Sequence, residues 1–174
     1  STVDKLIEKT QTLIDKYTAI KQGMMADLFT RGIDMTTGPN CGKLRPSVED
    51  APELYKQTEL GWVPREWSTL SLEALTEKIQ DGTHFSPVVG GGDYLYITSK
   101  NIRFGYLTLK NIETISKHQH DAIFKRCNVR EGDLLLTKDG ANTGNAAINN
   151  ILEPFSMLSS VAFIRSNELS NETY

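Results

Sequence analysis

Along the first stretch of the chain, apolar positions fall at Val3, Leu6, Leu13, Tyr17, Ile20 and Met24. Thr10 completes a seam whose intervals alternate three and four. That heptad spacing predicts a helix over Val3–Leu28, with Leu6, Leu13, Tyr17, Ile20 and Met24 on one packing face. Ile7, Ile14 and Leu28 widen the stripe, while Asp4, Lys5, Glu8, Lys9, Asp15, Lys16, Lys21 and Gln22 occupy a solvated face. No helix breaker precedes Gly23, and Arg31-Gly32 supplies a stop. At about 1.5 Å per residue the helix is roughly 40 Å long, more than a compact remainder needs to cover its core. It is therefore expected to be a coiled-coil arm that pairs with another helix; the alternative is a helix lying across its own domain.

Beyond the helix the periodicity changes. Residues 34–57 are punctuated by Gly38-Pro39-Asn40, Gly42, Pro46 and Pro52 and predict a connector draped over a surface. Compact structure is expected to resume at Thr58, with Trp62 and Trp67 clasping a Val-Pro turn. Ser71 caps an expected short helix from Leu72 to Ile79. Tyr94–Thr98, Leu134–Leu136 and Ala146–Ile148 have the β-branched, aromatic or apolar character of strands. Phe104–Leu107 reads as a turn and strand, Gln119–Arg126 as a helix, and Phe155–Arg165 as the last strand. The expected class is α/β (α+β), with a spacer helix over 1–33, a connector over 34–57 and a domain over 58–174.

Composition adds limits. The 174 residues have 39% apolar and 24% charged content, an ordinary globular balance. Neither a membrane-length apolar run nor a basic-then-apolar leader is present. Cys41 and Cys127 have no metal-ligand spacing and read as reduced thiols of a cytoplasmic protein. The opening Ser-Thr-Val-Asp-Lys, already close to a helical pattern, is expected to belong to a fragment.

Net charge is −3, but residues 98–148 carry eight Lys/Arg against five Asp/Glu, whereas residues 1–97 carry ten against fourteen. The basic excess surrounds two polar loops at strand ends. Ser99-Lys100-Asn101-Ile102-Arg103 is one, and Lys138-Asp139-Gly140-Ala141-Asn142-Thr143-Gly144-Asn145 is the other. Loops of this kind on a rigid base present side chains that contact phosphates and base edges. Asp81, Gly82, Thr83 and His84 begin a third polar loop.

Metal and catalytic sets are not recognisable. His84 has no second ligand at suitable spacing, and His118 and His120 lack a third. Asp133 and Lys138 invite comparison with a metal nuclease site, but Leu136 stands where an acidic residue would be needed. Nucleotide-binding glycine fingerprints and an Asn-Pro-Pro-Tyr-like methyltransferase motif are missing. The chain is expected to be non-catalytic by itself.

Taken in order, the motifs carry a resemblance. The heptad helix is followed by Leu60-Gly61-Trp62-Val63-Pro64-Arg65-Glu66-Trp67, then by Asp81-Gly82-Thr83-His84 and Tyr96-Ile97-Thr98-Ser99-Lys100-Asn101-Ile102-Arg103. Gly132-Asp133-Leu134-Leu135-Leu136-Thr137-Lys138-Asp139-Gly140 and the run from Phe155 to Arg165 complete the order. The chain resembles the DNA-specificity (S) subunit of type I restriction–modification systems. That resemblance implies a target-recognition domain reading one half of a bipartite sequence in double-stranded DNA, beside a spacer helix that sets the gap. It implies no cofactor in this chain: S-adenosylmethionine belongs to modification (methyltransferase) subunits, and ATP with magnesium to motor/nuclease subunits. A second spacer helix would come from the full subunit or from a second copy. Lys100, Asn101, Arg103, Lys138, Asn142 and Thr143 then fall in DNA-facing loops, joined by Asp81, Thr83 and His84. Two alternatives stay open: a coiled-coil assembly module, and a recognition domain from a fused restriction–methylation enzyme.

Overall fold

The computed structural model describes residues 1–171, which form two units dividing between Thr69 and Leu70. This division lies later than the expected domain start at residue 58, because the first β-hairpin groups with the helix.

In the first unit, α1 (Thr2–Thr30) is a continuous helix capped by Ser1, whose Oγ accepts from Asp4 N. It ends as the residue pattern requires: Arg31 N and Gly32 N both donate to Asp27 O. Residues 34–57 are anchored to their neighbours. Ile33 bridges to Leu44, Arg31 Nε donates to Arg45 O at 2.7 Å, and Arg45 forms an ion pair with Glu66. The hairpin of β1 (Tyr55–Thr58) and β2 (Gly61–Pro64) follows. Val63 and Pro64 lie within β2 and are buried, so the expected Val-Pro turn is a strand instead. Trp67 does act as a clasp: a Cβ on Gly32 would come within 2.4 Å of its Cζ2.

The second unit has two sheets and a small hairpin. The four-stranded antiparallel sheet runs β3-β11-β8-β9, from β3 (Thr76–Asp81), β8 (Leu134–Thr137), β9 (Ala146–Ile148) and β11 (Val161–Ser166). The three-stranded sheet runs β10-β4-β7, from β4 (Tyr94–Ile97), β7 (Glu113–Ile115) and β10 (Ser156–Met157), with β10 parallel to β4. A hairpin forms from β5 (Ile102–Arg103) and β6 (Tyr106–Leu107), and α2 (Lys117–Phe124) packs against β10. A single turn, α3 (Glu168–Asn171), closes the described chain. Ile97, Ile102, Ile115, Leu135, Phe155, Met157, Val161 and Phe163 form a shared core. The class is α+β.

Two elements differ from expectation. The helix expected over Leu72–Ile79 closes after one turn: Ala74 N still bonds Ser71 Oγ, but from Thr76 the chain is strand β3. Pairing with β11 along Lys78, Ile79, Gln80 and Asp81 outweighs the weak local helix preference. The single strand expected over Phe155–Arg165 is two, because the chain leaves β4 after Met157 and enters the other sheet at Val161. Gly82 sits against this crossover. A Cβ there would lie 2.2 Å from Met157 O, so only glycine allows Thr83 N to reach that carbonyl at 2.8 Å.

Candidate nucleic-acid interface

β4 delivers the chain into residues 98–101, where Asn101 organises the turn. Its Oδ1 accepts from Thr98 N at 3.0 Å, and its Nδ2 donates to Thr108 O at 3.1 Å. The residue is 5% exposed, so its amide holds the loop and has no free edge for a base. Asn101 is thus a positioning residue, a correction to its expected place at the surface. Lys100 beside it is exposed and Arg103 half-buried.

Lys138–Asn145 connects β8 to β9. Lys138 N donates to Ser160 O, Gly144 N to Thr137 O and Asn145 N to Asn142 O. Thr143 is exposed, with its hydroxyl donating to Gly140 O. Asn142 Nδ2 donates to Ser99 O at 3.2 Å, Asn145 Nδ2 to Ile102 O at 3.3 Å, and Gly105 N to Ala146 O at 2.8 Å. Six of the expected residues, Lys100, Asn101, Arg103, Lys138, Asn142 and Thr143, therefore belong to segments stitched into one rim, with the Asn142 and Asn145 amides acting as the stitches.

The third expected loop meets the same rim through charge. Asp81, at the end of β3, accepts from His84 Nε2 at 2.8 Å and Lys138 Nζ at 3.1 Å, and pairs with Arg126 Nη2 at 3.3 Å. Arg126 also donates to Gly82 O at 2.6 Å. Partial burial pushes the Asp81 carboxyl up, but the hydrogen bonds and charges of Lys138 and His84 outweigh it and hold it below its usual range. Thr83 is buried, bridged to Leu158, and its Oγ1 accepts from Phe85 N at 3.3 Å, so it too is structural. His84 remains exposed.

Several participants escaped the sequence reading. Arg126 comes from the turn after α2, far along the chain from Asp81, and no spacing announces it. Tyr106, Lys110 and Asn111 join Lys100, Arg103 and Glu113 around an open cleft of 710 Å³. The local basic excess pointed to this segment without singling them out.

The other singled-out groups have structural roles. Asp133 is buried in a two-pronged pair with Arg165, Nε to Oδ1 and Nη2 to Oδ2 each at 2.8 Å. It precedes β8, whereas Lys138 follows it, so the two belong to opposite strand ends. His118 is exposed on α2, while His120 is buried, stacked on Tyr94 and bonded to Ser156 Oγ at 3.0 Å. Among the described residues no cluster of three or more His, Cys, Asp or Glu could hold a metal ion. No described helix is long and apolar enough to cross a membrane.

The apolar seam of α1 lies open: none of its residues is buried, and Leu6, Leu13, Tyr17, Ile20 and Met24 are all exposed. The side chains of the expected packing face thus make no buried contact within the first unit.

What the second unit offers chemically is a rim of basic and amide side chains in which the Asp81 carboxylate is set among Lys138, Arg126 and His84. No protein-family model matches the chain, and no curated protein matches it.

Proposed function

We propose that this chain is a non-catalytic DNA-recognition element, the specificity component of a type I restriction–modification complex in the cytoplasm. In this reading the second unit reads one half of a two-part duplex sequence, and α1 serves as the spacer that pairs with a second such helix. The observation that carries it is the stitching of the Lys100 and Lys138 loops through Asn142 and Asn145. A reader of base edges needs its cations fixed in register, because phosphate contacts position a protein while groove contacts specify sequence. Lys100, Arg103 and Lys138 supply the cations, with Arg126 and Lys110 beside them. With a net charge of −3, much of the affinity must come from partner subunits and from base contacts. S-adenosylmethionine and ATP chemistry belong to those partners.

The test is capture of duplexes from a randomised pool by the chain assembled with a modification subunit. Enrichment of a split sequence is the expected result. Equal capture of two-part and scrambled duplexes would overturn the reading.

A second reading, a coiled-coil assembly module, rests on the open seam of α1. Sedimentation of the full chain beside Leu13→Lys and Ile20→Lys variants separates the two. If the helix alone carries function, these variants abolish complex formation while substitutions in the rim leave every activity intact.

A further inference from the structure

The amides of Asn101, Asn142 and Asn145 are committed to backbone groups, each holding one segment of the second unit to another. Asn111, in the turn between β6 and β7, differs from them. It is exposed, and its side chain makes no hydrogen bond among the described residues. It also adopts φ +56°, whereas every other described residue with a positive φ is glycine. Left-handed backbone favours glycine, and asparagine is one of the few side chains that accept it. Where only the turn matters this chain places glycine, so the amide at residue 111 calls for a use of its own.

The turn is held at both ends. Thr108 N donates to Asn101 O at 2.9 Å and Asn101 Nδ2 donates back to Thr108 O at 3.1 Å, which ties the approach to the loop after β4. Ile112 N closes the turn on Leu109 O at 3.2 Å, and Glu113 then enters β7 in register with Tyr96 of β4. Asn111 lines the 710 Å³ cleft together with Lys100, Arg103 and Lys110, against the single carboxylate of Glu113. The three cations suit phosphates, and the amide suits a base edge. An asparagine amide presents a donor and an acceptor side by side. Adenine presents their complement in the major groove, an N6 donor beside the N7 acceptor, whereas guanine presents two acceptors there.

We propose that Asn111 is a specificity-determining residue that reads an adenine of duplex DNA, its Nδ2 donating to N7 and its Oδ1 accepting from N6, while Lys100, Arg103 and Lys110 hold the flanking phosphates. This rests on the DNA-recognition reading above. Guanine at the same position would set its O6 against Oδ1, two acceptors facing each other, and would be rejected. The cations fix the register and Asn111 makes the choice. Asn101 acts through the turn, as a positioning residue.

The experiment uses the full chain assembled with a modification subunit and the duplex it selects from a randomised pool. Each adenine of the selected sequence is replaced in turn by 7-deazaadenine, which keeps base pairing but lacks the N7 acceptor. One such replacement is expected to weaken wild-type binding by about threefold or more. Asn111→Gly keeps the left-handed backbone and removes only the amide. It should bind the selected duplex about tenfold more weakly, the scale of one two-pronged base contact, and lose the response to 7-deazaadenine. Its binding to a scrambled duplex should change by less than about twofold, since the phosphate contacts remain. Asn111→Asp, of the same shape, also lacks the Nδ2 donor and should lose the same response, so the test holds even if the glycine variant is less stable. If the selected sequence contains no adenine, if no adenine responds in the wild type, or if both variants keep the response, the role of Asn111 is overturned while DNA recognition stands. If the wild type selects no duplex, the DNA reading falls and takes the adenine contact with it.

Discussion

Lys138 Nζ lies 3.1 Å from Asp81 Oδ2, reaching across the start of β11 from one neighbouring strand to the other. Asp81 pairs with Ala162 on one side, and Leu136 pairs with the same residue on the other. In the proposed DNA-recognition reading, the carboxylate restrains a cation that would otherwise engage a phosphate. Lys138→Ala is expected to weaken DNA binding and lower the salt slope by about one. Asp81→Asn is expected to strengthen binding to any duplex, because it removes a negative charge from the rim. Lys138 and Asp81 are both partly solvated, so each variant should lose less than about 1 kcal/mol of stability. Binding isotherms over a salt series check this; an unchanged slope in Lys138→Ala would remove that residue from the interface.

The buried Asp133–Arg165 pair governs stability. Arg165 also donates to Asn128 O at 2.8 Å, and Asp133 Oδ2 accepts from Arg130 N at 2.8 Å, so the pair ties β11 to the turn entering β8. Removing one partner leaves an uncompensated buried charge, which costs about 3–5 kcal/mol. Asp133→Ala and Arg165→Ala should each fall in that range by urea unfolding, and the double variant should lose less than their sum.

His120 makes stability depend on pH. Burial pushes its pKa below the ordinary 6.5; the Asp121 charge opposes this and Lys117 adds to it. The unfolded chain therefore takes up a proton at a pH where the folded one does not. The stability contributed by neutral His120 is full above the unfolded pKa of about 6.5 and is lost as pH falls from there through the folded value. Urea midpoints between about pH 7 and pH 5 should fall more steeply in the wild type than in His120→Asn.

The two thiols should react in sequence. Cys41 is exposed, whereas burial pushes the Cys127 thiol up to about 12. A thiolate is the reactive form, so Cys127 should stay protected until the chain unfolds. Titration with a thiol reagent should show one reactive group in buffer and two in denaturant; two fast groups in the native protein would contradict the burial.

The helix was legible in the residues because its period is local: a seam from Val3 to Met24 fixes which side chains share a face whatever else the chain does. The strands at Tyr94 and Leu134, the helix near Gln119 and the α+β class were legible for the same reason. The resemblance and the basic excess also drew attention to the Lys100 and Lys138 loops before any geometry.

What only the tertiary structure decided was the use of each polar side chain. Asn101, Thr83, Asn142 and Asn145 have the composition of base-reading loop residues, yet each donates to or accepts from backbone groups within the domain. Arg126 meets Asp81 only because distant segments pack together. The strand at Thr76–Asp81 likewise depends on β11, which enters much later in the chain. Periodicity is carried by neighbours in sequence, whereas hydrogen-bond partners across the core are assigned by folding, and the sequence by itself does not say which loop carbonyl an asparagine will find.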